Sequence, residues 1–549
     1  MNDATLHPDL IAAIADRRAE PMLTILGKRG QYTSLTGEEL LARTQAMQAV
    51  WDRCLGPGPQ VLLTALPAGE DFLIALVTAL LGGGTMVPVA PPRVGDTPGR
   101  LARMARTCDA SAVLCTTRNR DAVVQQLIDD AGGLPCPVLA LDAPEPDATA
   151  LARAPRPVSS HPIIQHTSGS TRFPKAVPVT ADQIRANCAM IQSLWGMNRD
   201  TVMVNWLPHY HDMGLMGCIL YPLLSHAHSV QMSPFDMIRR PLSWLEAVSQ
   251  WRGTISGGPT FAFLECLNRI DAEAAQGLDL SSWQRAFCGA EPIPAGLLQR
   301  FSDRFAPQGL APEAVFGCYG MAECTLFAAG EAQAAGNAAP APTDALVEGC
   351  LLSDTTRAGL RIADPAGGWP RPEGFTGEIW LTGPSVIHAY LGEDDPEAFA
   401  TDPEGRHWLR TGDLGHIAEG RLFITGRLKD IVIVNGRNIA AAEIEWIAAQ
   451  EHDDLNPLAA AAFADTQTAG GKAHLCIEIR AGAPAPADPE ALAKRIRASV
   501  IGRCGAELGE IRILPRGTLP RTTSGKIRRR QVAQEFLSPA HPATLEMVK

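Results

Sequence analysis

Several kinds of signal are missing from this chain, and each absence removes a class of function. Basic charge is not in surplus: 48 Lys and Arg stand against 59 Asp and Glu, a net of −11. That balance argues against a general nucleic-acid binder and against an anionic membrane surface as main partner. The 13 cysteines include no C-x-x-C pair, and Cys288 and Cys324 sit in apolar or small-residue runs typical of reduced, buried thiols. A cytoplasmic setting is expected. At the N-terminus the only apolar run, residues 10–15, is interrupted by Asp16, Arg17 and Arg18 before a signal-peptide core could form. No internal repeat of diagnostic period is present. Hydrolase signatures are missing too. There is no G-x-S-x-G elbow, and His209, His211, His226 and His228 lack the H-E-x-x-H spacing of a zinc site. No Asp-Ser-Leu motif occurs either.

What is present is a long chain, 549 residues with 46% hydrophobic content, enough for at least two domains. Residues 72–90 carry no charge and come close to membrane-spanning length, but Gly82, Gly83 and Gly84 cut them. They read as a buried helix, a glycine turn and an inner strand, not as a membrane insertion. Helical patterns alternate with short apolar strands, as in 37–51 followed by 61–65 and 102–108 followed by 111–115. This implies an α/β architecture with parallel sheet. Alanine- and proline-rich loops at 153–160 and 331–345 separate the blocks, and a strand-rich passage runs through 377–382, 421–425 and 430–434. Beyond about 427 the pattern becomes a small α+β unit: helix 441–449, strands 459–463 and 473–480, helix 489–501, strand 512–514. The expected domains are therefore 1–427 and 428–549.

The first chemical motif follows the apolar residues Ile163, Ile164 and Gln165. His166, Thr167, Ser168, Gly169, Ser170, Thr171, Arg172, Phe173, Pro174 and Lys175 pack hydroxyls, a glycine and two cations into one short loop. Small residues let backbone N–H groups approach an anion, while hydroxyls and cations supply donors to phosphate oxygens. A nucleoside triphosphate suits such a loop, and so does the plainer reading of a Ser/Thr turn. It is not a GxxxxGK[ST] P-loop, because no Ser or Thr follows Lys175.

Further motifs follow in order: 206–214 (WLPHYHDMG), 289–292 (GAEP), 319–323 (YGMAE), 377–380 (GEIW), 408–413 (WLRTGD), 426–430 (GRLKD) and 520–526 (PRTTSGK). This ordered set resembles the adenylate-forming superfamily of acyl-CoA synthetases, peptide-synthetase adenylation domains and luciferases, over about residues 20–535. The resemblance implies an α/β fold. Its large multi-sheet N-terminal domain has parallel sheets and a small β-barrel-like part, and a small mobile α+β C-terminal domain turns on a hinge at Lys429. It implies ATP and Mg²⁺ as cofactors. Thr167, Ser168, Gly169, Ser170, Thr171 and Lys175 would hold phosphate, while Gly289, Ala290, Glu291, Tyr319, Gly320 and Met321 would also bind the nucleotide.

Tyr319, near Gly317 and Gly320, can lay an aromatic face against adenine. Glu323 with Thr171 would hold Mg²⁺, which prefers hard oxygen ligands. Asp413, assisted by Arg427, can accept hydrogen bonds from a ribose diol, and the two can equally form a structural salt bridge. Lys526 is implied as the catalytic lysine, stabilising charge at the α-phosphate, with His211 as a second catalytic candidate. The neighbouring Arg528, Arg529 and Arg530 read as a solvated charge run.

Within the superfamily the chain looks most like the fatty acyl-AMP ligases, through Ser170-Thr171-Arg172, His211-Asp212-Met213-Gly214, 256–263 (SGGPTFAF) and Gly289-Ala290-Glu291-Pro292. These ligases load an acyl group onto the phosphopantetheine of an acyl carrier protein. His209, His211, Asp212, Gly257, Gly258 and Cys288 would line the acyl pocket, the small residues leaving room for a chain, and the glycines can equally mark turns. The insertion usual after the Tyr-Gly motif is short, with about 20 residues between Phe327 and Gly349. CoA therefore stays open as an alternative acceptor. Pro is usual at Ala441 and Gly at Ala176.

Overall fold

The structure is a computed structural model describing residues 5–537, apart from 94–95, 97, 129–132, 144–156, 168–173, 333–345, 393–394, 435–436, 465–471, 481, 522–525 and the side chain of Arg29. Its first sheet has six strands in the order Val138–Ala140, Ala112–Cys115, Val61–Thr64, Thr85–Pro88, Ile163–His166, Ala176–Val179. All neighbours are parallel except the last pair, an antiparallel hairpin. The apolar stretch after residue 70 is the helix Glu70–Leu81, with Phe72 to Leu80 all buried, then glycines and the buried strand Thr85–Pro88. No helix among the described residues is long and apolar enough to cross a membrane.

A second sheet of seven strands runs Val315–Gly317, Arg285–Gly289, Ile255–Pro259, Val202–Asn205, His228–Gln231, Pro21–Leu26, Tyr32–Thr36. Its strands are parallel except for the outer hairpin formed by Pro21–Leu26 and Tyr32–Thr36. Strands buried on both faces are near-continuous apolar runs, as parallel sheets covered by helices require. One core, including Leu23, Leu76, Trp206, Tyr221 and Phe301, joins this sheet to helix Glu70–Leu81.

The barrel-like part is a fully antiparallel sheet of six strands, with His407–Ala418 at its centre paired to Gly377–Leu381, Arg421–Arg427 and Phe399–Thr401. Its edge strands, Gly349–Leu351 and Leu360–Ala363, do not pair with each other among the described residues.

After the turn Leu428–Asp430 comes the hairpin Ile431–Val434 with Arg437–Ala440, then helix Ala441–Ala449. A three-stranded sheet follows, Leu455–Ala464, Ala473–Ile479 and Leu508–Leu514, with helices Pro489–Cys504 and Arg529–Leu537. Val432, Ile444, Ile447, Leu475, Ile496 and Ile511 make a separate core here.

Candidate active site

In open parallel sheets the ligand crevice lies at the carboxyl ends of the strands. The motifs obey this. Residues 206–214 leave strand Val202–Asn205, Gly289 closes strand Arg285–Gly289, and Tyr319 follows strand Val315–Gly317. The phosphate loop is instead the hairpin connection between Ile163–His166 and Ala176–Val179. Its base is closed by Thr167 N–H donating to Lys175 O at 3.0 Å and Lys175 N–H donating to Thr167 Oγ1 at 3.2 Å. Ser168, Gly169, Ser170 and Thr171 lie outside the described residues. The Lys175 ammonium pairs with Asp395 and lies 4.4 Å from the centre of the Tyr390 ring. The Tyr390 hydroxyl donates to Glu323 Oε1 at 3.0 Å. Contacts therefore run from the phosphate-loop cation to the expected metal carboxylate.

On the nucleotide side, the Tyr319 hydroxyl donates to Asp413 Oδ2 at 2.9 Å and Arg427 Nε pairs with Asp413 Oδ1 at 2.8 Å. Each carboxylate oxygen keeps a lone pair for a further donor. The turn presenting Asp413 is held by Glu378, itself buried. Its Oε2 accepts from Arg410 Nη2 at 3.0 Å and Trp380 Nε1 at 2.9 Å, and its Oε1 from Gly412 N–H at 3.1 Å. Gly320 and Gly289 permit close backbone approach, because a Cβ on Gly320 would lie 1.8 Å from Leu326 O and one on Gly289 2.7 Å from Cys318 O. Ala290 adopts φ 65°, the left-handed region uncommon outside glycine, so the chain turns sharply before Glu291. Met321 is half-buried at the start of the turn Ala322–Cys324.

On the acid side, His211 Nδ1 lies 2.6 Å from Asp212 Oδ1, which also accepts from Met213 N–H at 2.8 Å. A π-helical stretch, Met213–Leu220, begins directly after this pair. Burial raises the Asp212 carboxyl, but His211, Met213 and Lys526 outweigh it and hold its pKa below the ordinary value. For Glu291 burial wins and the pKa rises, opposed by Lys526. Lys526 thus comes from the far end of the chain into this crevice. Burial and Arg427 depress its pKa, against the fields of Glu291, Asp212 and Asp413.

Glu323 is buried, and burial raises its pKa despite Tyr390 and Arg427. Among the described residues no group of three or more His, Cys, Asp or Glu could hold a metal ion alone. A single carboxylate beside phosphate suits Mg²⁺, which keeps waters and takes substrate oxygens. The residues fit the ion.

His209 forms part of an apolar pocket wall with Phe72, Leu73, Leu207, Ile219 and Met232. Its ring packs 3.9 Å from that of Phe72, and burial pushes its pKa down to about 3. Gly257 and Gly258 are closely packed. A Cβ on Gly257 would lie 2.1 Å from Phe287 O, and one on Gly258 2.4 Å from Trp206 Cζ2, so the chain's own atoms fill the space beside them. Cys288 is fully buried, its thiol pKa raised by burial, with Sγ 3.8 Å from Thr260 Oγ1. Lys429 lies in the turn Leu428–Asp430.

Three groups escaped the sequence reading. Glu378 lies in the Gly377-Glu378-Ile379-Trp380 motif, whose sequence carries no sign of its role, and Tyr390 lies outside all of the ordered motifs. Arg529 does not belong to a solvated run: Arg528 and Arg530 are exposed, whereas Arg529 binds Glu445 through two nitrogens, at 2.7 and 2.6 Å.

Lys526, beside the smaller core, lies within the fields of Asp212, Glu291, Asp413 and Arg427. The chain belongs to the AMP-binding enzyme family, whose model matches residues 3–391. It is 32% identical over 580 aligned residues to the long-chain-fatty-acid–AMP ligase FadD26 of Mycobacterium marinum, covering 97% of each chain. It is 29% identical to the medium-chain-fatty-acid–[acyl-carrier-protein] ligase JamA of Moorena producens, covering 92% of this chain and 90% of JamA. A solved structure from a study of fatty acyl-adenylate ligases of E. coli and L. pneumophila superposes with a TM-score of 0.79 at 29% identity, covering 97% of this chain and 98% of that one.

Proposed function

We propose that the chain activates a medium- or long-chain fatty acid as its acyl-adenylate and passes the acyl group to the phosphopantetheine thiol of an acyl carrier protein. The observation that carries the chemistry is Lys526 lying within the fields of Asp212, Glu291, Asp413 and Arg427. The carrier protein as acceptor rests on the likeness to JamA, a fatty-acid–[acyl-carrier-protein] ligase.

In the first step a carboxylate oxygen of the acid attacks the α-phosphorus of ATP. A new C–O–P link forms as the bond to the bridging oxygen breaks, and pyrophosphate leaves with the electron pair. Lys526 holds the attacking carboxylate and the charge gathering on the α-phosphate in one place. Asp413, fixed by Tyr319 and Arg427, takes the ribose hydroxyls, and the loop ending in Lys175 takes the phosphates. Glu323 would hold Mg²⁺, which would supply charge neutralisation on the phosphate oxygens.

In the second step the thiol sulfur attacks the acyl carbon and AMP leaves with the electron pair. With its Nδ1–H given to Asp212, His211 has a free acceptor nitrogen able to take the thiol proton. The unit 428–549 turns about Lys429 between the steps, withdrawing Lys526 after adenylation.

Acid-dependent pyrophosphate exchange across a chain-length panel, followed by acyl transfer to holo carrier protein and to CoA, tests the proposal. Exchange with fatty acids and loading of the carrier are expected. Efficient CoA transfer without carrier loading overturns the acceptor, and normal exchange in Lys526→Ala overturns the role of the lysine.

A further inference from the structure

The loop that carries Lys526 is built like a clasp. It leaves the strand Leu508–Leu514 and returns as helix Arg529–Leu537. Its neck is closed by an antiparallel bridge between Arg521 and Ile527 and by Arg528 N–H donating to Pro520 O at 2.9 Å. On either side of that neck a buried apolar residue, Leu519 or Val532, enters one small core with Phe463 and Leu514.

Each foot also meets a buried carboxylate. Glu478, 0% exposed, accepts from Leu519 N–H at 2.7 Å and Arg521 Nη2 at 3.0 Å. Glu445, 3% exposed, accepts from Arg529 Nε and Nη2 and also from Ala462 N–H at 2.9 Å. Arg529 Nη1 donates as well to Asp430 Oδ2 at 3.1 Å. Asp430 belongs to the turn Leu428–Asp430 that follows strand Arg421–Arg427 of the antiparallel sheet, so one guanidinium ties the lysine loop to helix Ala441–Ala449 and to that turn.

Stability alone does not explain these groups. Buried ion pairs are often no more stabilising than apolar residues of the same volume, because desolvation offsets their attraction. What a forked guanidinium on a carboxylate adds is direction: two parallel hydrogen bonds fix angle as well as distance. A lysine serving an in-line attack needs that direction, since a displacement near 1 Å can reduce rate about 100-fold.

We propose that Arg529, gripped by Glu445 and Asp430, is a positioning residue that sets Lys526 for acyl-adenylate formation, with Glu478 holding the opposite foot of the loop. The inference rests on the role given to Lys526 above. It separates Arg529 from Arg528 and Arg530, whose side chains are exposed; Arg528 enters the clasp through its backbone N–H.

The test compares Arg529→Lys, Arg529→Met, Arg528→Ala, Glu478→Gln and Lys526→Ala in the full chain. Three readouts are needed: pyrophosphate exchange, thioester formation from preformed acyl-adenylate, and thermal melting. Arg529→Lys keeps the charge and loses the fork. Its exchange kcat is expected to fall between about 10- and 100-fold, with KM for ATP, transfer from acyl-adenylate and melting close to the parent. Arg529→Met is expected to lose more exchange, Glu478→Gln to fall in the same half-reaction, and Arg528→Ala to leave exchange unchanged.

Parental exchange in both Arg529 variants while Lys526→Ala is inactive overturns the positioning role and leaves the lysine assignment intact. Both half-reactions and melting falling together in Arg529→Lys reduces the clasp to a structural one. If Arg529→Met does not accumulate as folded protein, Arg529→Lys and Glu478→Gln decide. Normal exchange in Lys526→Ala removes the lysine assignment and this inference with it.

Discussion

Gly258→Ala distinguishes two meanings of a glycine in this site. If the glycine lay open to an acyl tunnel, one methyl group would leave folding untouched and shorten the acids accepted. The structure places Trp206 there instead, with Cζ2 at 2.4 Å and Cε2 at 3.2 Å from the added Cβ. Ordinary carbon contacts begin near 3.5 Å, so the indole must move by about 1 Å. Trp206 has little freedom to do so, being 1% exposed and wedged between Trp244 and Phe261, with ring centres at 5.8 and 5.7 Å. Overpacking of this kind costs about 1–3 kcal/mol, which lowers Tm by a few degrees. The assay is thermal melting of parent and variant alongside exchange kinetics over the acid panel. Unchanged melting together with a shortened acid range refutes the reasoning and restores the open tunnel.

Other consequences are equally direct. Asp413→Asn removes a charge that receives Tyr319 and Arg427, and KM for ATP is expected to rise about 10-fold or more, following the ~1.5–3 kcal/mol of a hydrogen bond to a charged group; an unchanged KM takes Asp413 off the nucleotide. Glu378→Gln breaks the pair with Arg410 and weakens the hold on Gly412 N–H, and is expected to destabilise by about 3 kcal/mol in denaturant titration; parental stability counts against that organising role. His209 has a folded pKa of about 3 against an ordinary 6.5. The unfolded chain therefore takes up a proton first as pH falls, and stability declines from about pH 6.5 towards 3 by up to ~1.4 kcal/mol per pH unit from this group. His209→Gln is expected to flatten that acid limb in a pH series of unfolding curves, and an unaltered slope contradicts the burial argument.

Local pattern made much of the fold legible. The sequence predicts helix 441–449 with the bounds observed, because it is a compact run of small and apolar residues in which all but Glu443 are buried. Helix 489–501 continues to Cys504, ending where Gly505 adopts φ 74°, a stop signal present in the sequence. Strand 512–514 begins earlier, at Leu508, because Leu508 and Ile511 pair in parallel with strand Ala473–Ile479, a contact that local alternation does not reveal. The π-helical turn after Asp212 follows from packing and left no periodic trace.

The site was legible as an ordered set of motifs, and its architecture much less so. Asp413 and Tyr319 lie 94 residues apart in the chain yet share a hydrogen bond. Arg529 looked like one member of a charge run because its partners, Glu445 and Asp430, are 84 and 99 residues away. Gly257 and Gly258 suggested space because a sequence shows a missing side chain and not the neighbour that fills its place.

The strand order of the second sheet sets a timetable for synthesis. Pro21–Leu26 lies between Tyr32–Thr36 and His228–Gln231, with Leu23 opposite Ser229. An emerging chain can form the outer hairpin at once, but its inner edge has no partner until the ribosome has added some 200 residues, about 10–40 s at ~5–20 residues per second. Through that interval the buried side chains of Met22 and Leu23 have no finished core to enter. The N-terminal segment is made early and seated late, so the nascent chain has the strongest call on chaperones before residue 231 appears.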